Sequence, residues 1–112
     1  MEILINIDVV DLDKAITFYG KAFNFSFRRR LFNGEVAEMI GTSSSLYLLQ
    51  KSPGTSASPG TSALRDYHRH WTPAHLELVV DDLDLHLEKV LVAGARLEGT
   101  PNVLLGTFGH AQ

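Results

Sequence analysis

The amino-acid sequence predicts an α+β fold built from two tandem βαβββ modules, the second lacking its last strand. Three observations lead there. Two apolar runs, Ile3–Val10 and Ala74–Val80, are each followed by an aspartate and an amphipathic helical pattern. Three further strand signals follow the first of these helices. The halves also align with each other. Val9–Ile16 reads VVDLDKAI and Val80–Leu87 reads VDDLDLHL, so at an offset of 71 residues Asp11-Leu12-Asp13 falls on Asp82-Leu83-Asp84.

The elements follow in order. Ile3 to Val10 is rich in β-branched residues and reads as a buried strand. Asp11 supplies an N-cap oxygen. Ala15, Phe18, Tyr19, Ala22 and Phe23 then recur at helical spacing and make one apolar stripe. Asn24 is a stop signal. Phe25 to Phe32 reads as a strand, on which Arg28 and Arg30 share one face and Arg29 takes the other. Such a strand is either simply solvated or points an arginine at an anionic ligand group. Asn33-Gly34 is the strongest hairpin signal in the chain. Glu35 to Ile40 is the return strand, Gly41 to Ser44 a turn, and Ser45 to Gln50 a fourth strand. Module one therefore spans residues 1–50.

Residues 51–66 form the connector. SPGTSA occurs twice in tandem, at Ser52–Ala57 and Ser58–Ala63. A small, polar, Pro/Gly-bearing tract has little apolar surface to bury, so it is expected to be flexible. The functional alternative is a mobile lid over a pocket. Module two, residues 67–112, opens with the strand Ala74–Val80. Asp82 is its cap, Leu83, Leu87, Val90 and Leu91 its helical stripe, and Gly94 its terminator. Arg96 to Glu98 reads as a short strand, and Gly106 to Gln112 starts another. At an offset of 72 residues Gly34–Ile40 corresponds to Gly106–Gln112, and nothing then corresponds to Gly41–Gln50. A sheet without that strand would present unpaired backbone edges. Either the sequence stops short of the natural C-terminus or the strand is supplied from elsewhere.

Composition narrows the function classes. The chain has 112 residues, 45% of them hydrophobic and 21% charged, in the range of one globular domain. It contains no cysteine, which excludes disulfides, thiolate nucleophiles and thiol-ligated metal centres. Met1 to Val10 lacks a basic segment followed by an apolar stretch, so a cytoplasmic location is expected. No run approaches the roughly 18 apolar residues of a membrane span. The net charge of −3 argues against nucleic acid as a partner, since phosphate binding needs a positive face.

INIDVVDLDKAITFYGKAFNF and HLELVVDDLDLHLEKVLVAGARL resemble the first- and second-module signatures of the vicinal-oxygen-chelate superfamily. This group includes glyoxalases, bleomycin-resistance proteins and extradiol dioxygenases. The resemblance covers the chain apart from the connector. It implies a mixed sheet curled around a cavity, and it carries fold rather than reaction. Metal-dependent members place one ligand on the first strand of each module and others on the last strands. By that resemblance the first-module position is Leu4, the second-module position is His75, and the last-strand position of module one falls at Leu48, with Tyr47 or Leu49 one residue to either side. The final Glu would lie beyond Gln112. One suitable donor among three positions is short of the three protein ligands a catalytic divalent site needs. No resident cofactor is therefore expected, a divalent metal on His75 being the alternative.

The expected cavity is lined by Asn6, Leu48, Trp71, His75 and Glu77. His75 is read as a hydrogen-bonding or general-base group, as a metal ligand, or as a satisfied histidine in a sheet. Glu77 shares its face, and Asn6 is the counterpart of Glu77 in module one. That pair would do acid–base work, attract a cationic ligand, or simply be solvated. Tyr67, His68, Arg69, His70 and Trp71 form an aromatic-basic cluster that rims a pocket or anchors the chain after the connector. The expected function is metal-independent binding or sequestration of a small molecule by a homodimer. The alternatives are a metal-dependent lyase or isomerase using His75 and a further Glu, and an interaction module whose cavity is filled by its own side chains.

Overall fold

A computed structural model describes residues 1–98 in full and the backbone of residues 102–104 and 108–110. Module one forms as the sequence predicts. Strand β1 (Ile5–Val9) is followed by helix α1 (Leu12–Phe23) and strands β2 (Ser26–Leu31), β3 (Val36–Ile40) and β4 (Leu46–Gln50). The four strands make one mixed sheet in the order β1-β4-β3-β2, with β1 parallel to β4 and the other pairs antiparallel.

Local chemistry sets the boundaries. The Asp11 side chain accepts a hydrogen bond from the Lys14 backbone N–H at 3.1 Å, satisfying one of the four N–H groups that a helix start leaves unpaired. The Leu12 N–H is satisfied by Gln50 Oε1 at 3.0 Å, which ties the last residue of β4 to the first turn of α1. Asn24 ends the helix in the left-handed region at φ 58°. At the β2–β3 hairpin, Glu35 N–H donates to the Phe32 carbonyl at 3.2 Å, with Asn33 and Gly34 at φ 58° and 84°. Asn-Gly is the pair this mirror-image turn favours. Phe32, 77% exposed, is also held at φ 52°. A bulky side chain gains nothing from that exposed position and incurs the Cβ–carbonyl clash of the left-handed region. Phe32→Asn is therefore expected to stabilise the protein by about 1 kcal/mol, read as a higher urea midpoint at unchanged m value.

One face of the sheet packs on α1. Ala37 and Met39 of β3, Leu46 and Leu48 of β4 and Leu12 of α1 are buried, and Ile5, Ile7, Val9, Ala15, Ile16, Tyr19 and Phe25 close around them. Phe18, Tyr19, Phe23 and Phe25 continue this core at the C-terminal end of α1, with ring centroids 5.2 to 6.3 Å apart.

Module two departs from the expectation. Helix α2 (Leu83–Val92) is present, capped by Asp82 on Leu85 N–H at 3.0 Å, and Gly94 leaves it at φ 112°. Ala74–Val80, expected to be a strand, carries no strand pairing, and neither does Arg96–Glu98. Strands β5 (Asn102–Leu104) and β6 (Phe108–His110) pair antiparallel as a separate two-stranded sheet. The first of these lies outside the strands the sequence predicts; the second falls inside the strand expected from Gly106, whose other residues lie outside the described ones. The physical reason for the missing strand lies in the ladder. Among the described residues, β1 of module one is held by β4 alone. The backbone of Ala74–Val80 has no such ladder partner among the described residues.

The connector makes backbone hydrogen bonds within itself. Its two repeats fold back on each other. Gly54 N–H donates to Arg65 O and Arg65 N–H to Thr55 O, both at 2.8 Å, and Ala57 N–H donates to Ala63 O at 3.0 Å. Each Pro-Gly makes a turn, which lets the second repeat run back along the first.

Candidate functional site

The sheet face opposite α1 carries a row of polar side chains. Register places Asn6 beside Tyr47, Tyr47 beside Glu38, and Glu38 beside Arg29, one residue from each of β1, β4, β3 and β2. A bulge between Phe27 and Arg29 adds Arg28 to this group. This corrects the expectation that Arg28 and Arg30 share a face. The extra residue of a bulge shifts the alternation by one, so consecutive arginines turn to the same side. Arg30 goes to the other side and pairs with Asp13 on α1.

Glu38 is the one buried charged residue among those described, at 2% exposure. Its carboxylate accepts from Arg29 Nε at 2.7 Å, Arg28 Nη1 at 3.4 Å and the Tyr47 hydroxyl at 3.3 Å. The Arg29 hydrogen bond chiefly holds the Glu38 carboxyl below its ordinary range. The charges of both arginines and the Tyr47 hydrogen bond add to this, against the opposing effect of burial. The pairing was legible from the hairpin. Counting outward from Asn33-Gly34 sets Leu31 against Val36, Arg30 against Ala37 and Arg29 against Glu38.

At the β1 edge of the same face, Asp8 accepts from Arg65 Nε at 2.8 Å. Arg65 Nη1 also donates to Thr55 Oγ1 and to the Ser56 carbonyl, so one guanidinium fastens the connector to the sheet. Tyr67 adds a hydrogen bond to the Lys51 carbonyl at 2.8 Å.

An open groove of about 270 Å³ runs along α2. Its apolar wall includes Leu76, Leu78, Val80, Leu83, Leu87 and Val90. At the repeat offset of 71 these are the counterparts of Ile5, Ile7, Val9, Leu12, Ile16 and Tyr19. Every one of those six belongs to the closed core of module one. The groove thus corresponds to the helix-facing core of module one, and among the described residues no strand closes over it as β4 does there.

The expected site residues are not brought together. Asn6 lies on the open face, in the polar row. Leu48 is fully buried against α1, on the opposite side of the sheet, because its register partner is Ile7 and not Asn6. That corrects its expected place in a cavity; Tyr47 and Leu49 are the β4 residues that face away from the helix. Trp71 is 82% exposed, His75 is exposed, and Glu77 lines the α2 groove. In the aromatic-basic cluster, the backbone N–H of His68 and its ring Nδ1 both lie 2.9 Å from Asp66, which keeps that carboxyl low, the backbone bond contributing most.

A family model for the glyoxalase-like domain matches residues 4–103. The chain belongs to the glyoxalase-like domain family, within the vicinal-oxygen-chelate superfamily. No curated protein matches it. Among solved structures, this glyoxalase-like chain is similar to hypothetical protein SA1046 from S. aureus, at 22% identity and TM-score 0.68, over 99% of this chain and 84% of that one. It is similar to a glyoxalase/bleomycin resistance protein from Streptomyces sp. CB03234, at 21% identity and TM-score 0.58, over 92% and 82%. A lactoylglutathione lyase from Agrobacterium tumefaciens matches at 15% identity and TM-score 0.59, over 96% and 79%. At these identities the likeness shows the glyoxalase fold and not a shared reaction.

Among the described residues no group of three or more His, Asp or Glu side chains is placed to hold a metal ion. The carboxylates on the open face, Asp8 and Glu38, are each ion-paired to arginine. A cation there would have to displace a guanidinium.

Proposed function

We propose that this glyoxalase-like protein binds a small organic molecule on the open face of its module-one sheet, without a protein-held metal, in a binding or sequestration role. The observation that carries this reading is the composition of that face. A polar row of Asn6, Tyr47, Glu38 and Arg29 is flanked by half-buried Leu31, Val36 and Leu49 on one side and by Ile40 on the other. A few fixed polar groups within an apolar surround are the usual make-up of a small-molecule site. The acidic groups on it are already neutralised by arginine, which favours organic ligands over cations.

Elemental analysis of the purified protein, with and without His75→Ala, is the test. The expected result is nickel, zinc, iron and manganese well below one per chain in both. Stoichiometric metal that is lost with His75 would overturn the reading in favour of a metal-dependent lyase or isomerase.

A further inference from the structure

Building on the open-face reading, we propose that Arg28 and Arg29 recognise the carboxylate of an amphipathic organic acid whose apolar part lies along Leu31, Val36 and Leu49. The bulge in β2 is what puts two consecutive guanidiniums on one face. Between them stands a single carboxylate, Glu38, so the cluster keeps one uncompensated positive charge. The groups differ sharply in exposure. The Glu38 side chain is 3% exposed, whereas Arg28 and Arg29 are 57% and 55% exposed. Glu38 therefore acts from beneath as a positioning residue that a ligand does not reach.

The geometry leaves donors over. Each guanidinium carries five N–H groups. Glu38 engages Nε of Arg29 and Nη1 of Arg28. The Nη edge of Arg29 and the remaining N–H groups of Arg28 stay at the half-exposed surface, suited to the forked hydrogen bonding of a carboxylate. The apolar row lies two residues along the strands from the polar row, about 7 Å away. An acid with a ring or short chain next to its carboxylate spans that distance. A neutral amide of the same shape would lose the charge assistance, and an amine would meet the residual positive charge.

Calorimetric titration with phenylacetate, octanoate and their neutral amides, at low salt and neutral pH, tests this. The acids are expected to bind and the amides to bind at least about tenfold more weakly, the factor one charge-assisted hydrogen bond supplies. Arg28→Gln should weaken the acids by about the same factor and leave the amides unchanged, while Arg28→Lys recovers part of the loss. Should Arg28→Gln fail to fold, the salt dependence of acid binding to the unaltered protein gives the same information, because ion pairing at an exposed site weakens as salt rises. Equal affinity for acids and amides would overturn anion recognition while leaving the open-face site standing. No binding by any of the four at millimolar concentration would overturn both.

Discussion

Leu48→Ala is expected to destabilise the protein by about 2–5 kcal/mol, the range for emptying a leucine-sized space in a packed core. Leu48 is fully buried, with Ile7 and Ala37 as its strand neighbours and Leu12 in the same cluster. The buried apolar core comprises six described residues, so no second cluster takes up the loss. The readout is the urea midpoint by circular dichroism at unchanged m value. Leu87→Ala makes the contrast. Leu87 is the repeat counterpart of Ile16 but lines the open α2 groove, so its truncation is expected to cost much less. Equal costs at the two positions would mean that the groove is closed in solution.

Glu38→Gln is expected to lower stability at neutral pH, and the deficit should shrink as the solution is acidified. The carboxyl is held below its ordinary value of 4.5, chiefly by the Arg29 hydrogen bond. A carboxyl depressed in the folded state contributes fully above its unfolded value and loses that contribution as pH falls through the lower, folded-state value. Below that point the native protein carries a neutral group, as the variant does at every pH. Thermal melts of both proteins should therefore draw together as the pH is lowered from neutral. Parallel curves would show that the ion pairs do not hold the carboxylate in place.

Module one was legible because its signals are local. Asp11, Asn24 and Asn33-Gly34 each carry one boundary through their own side-chain or backbone chemistry. The alternation of β1 and β4 is short and unbroken, so parity alone sorts Ile5 and Ile7 from Asn6. The arginine cluster was hidden by one extra residue. A bulge reverses the alternation, and nothing in Phe27-Arg28-Arg29 advertises one. Leu48 was misplaced for a related reason, since aligning a last-strand ligand position without knowing the β1–β4 register leaves an error of one residue, which is a change of face. In module two the helix and its cap were legible, and the strand pairing was not. The pattern of Ala74–Val80 is that of a strand, and the repeat says so. Pairing, however, is a property of two segments, and the parallel neighbour that holds β1 in module one has no counterpart among the described residues of module two. Composition does not foretell the connector's contacts: its small residues bury little, yet its Pro-Gly turns give it backbone partners and Arg65 ties it to Asp8.

The site assignment itself is tested most directly by amide chemical-shift mapping during titration with small organic acids and their amides. Saturable shifts are expected at Asn6, Arg29, Glu38 and Tyr47, across all four strands of the module-one sheet. Shifts confined to Leu83, Leu87, Val90 and Leu91 would place the ligand in the α2 groove instead, and would contradict the view of that groove as an uncovered core.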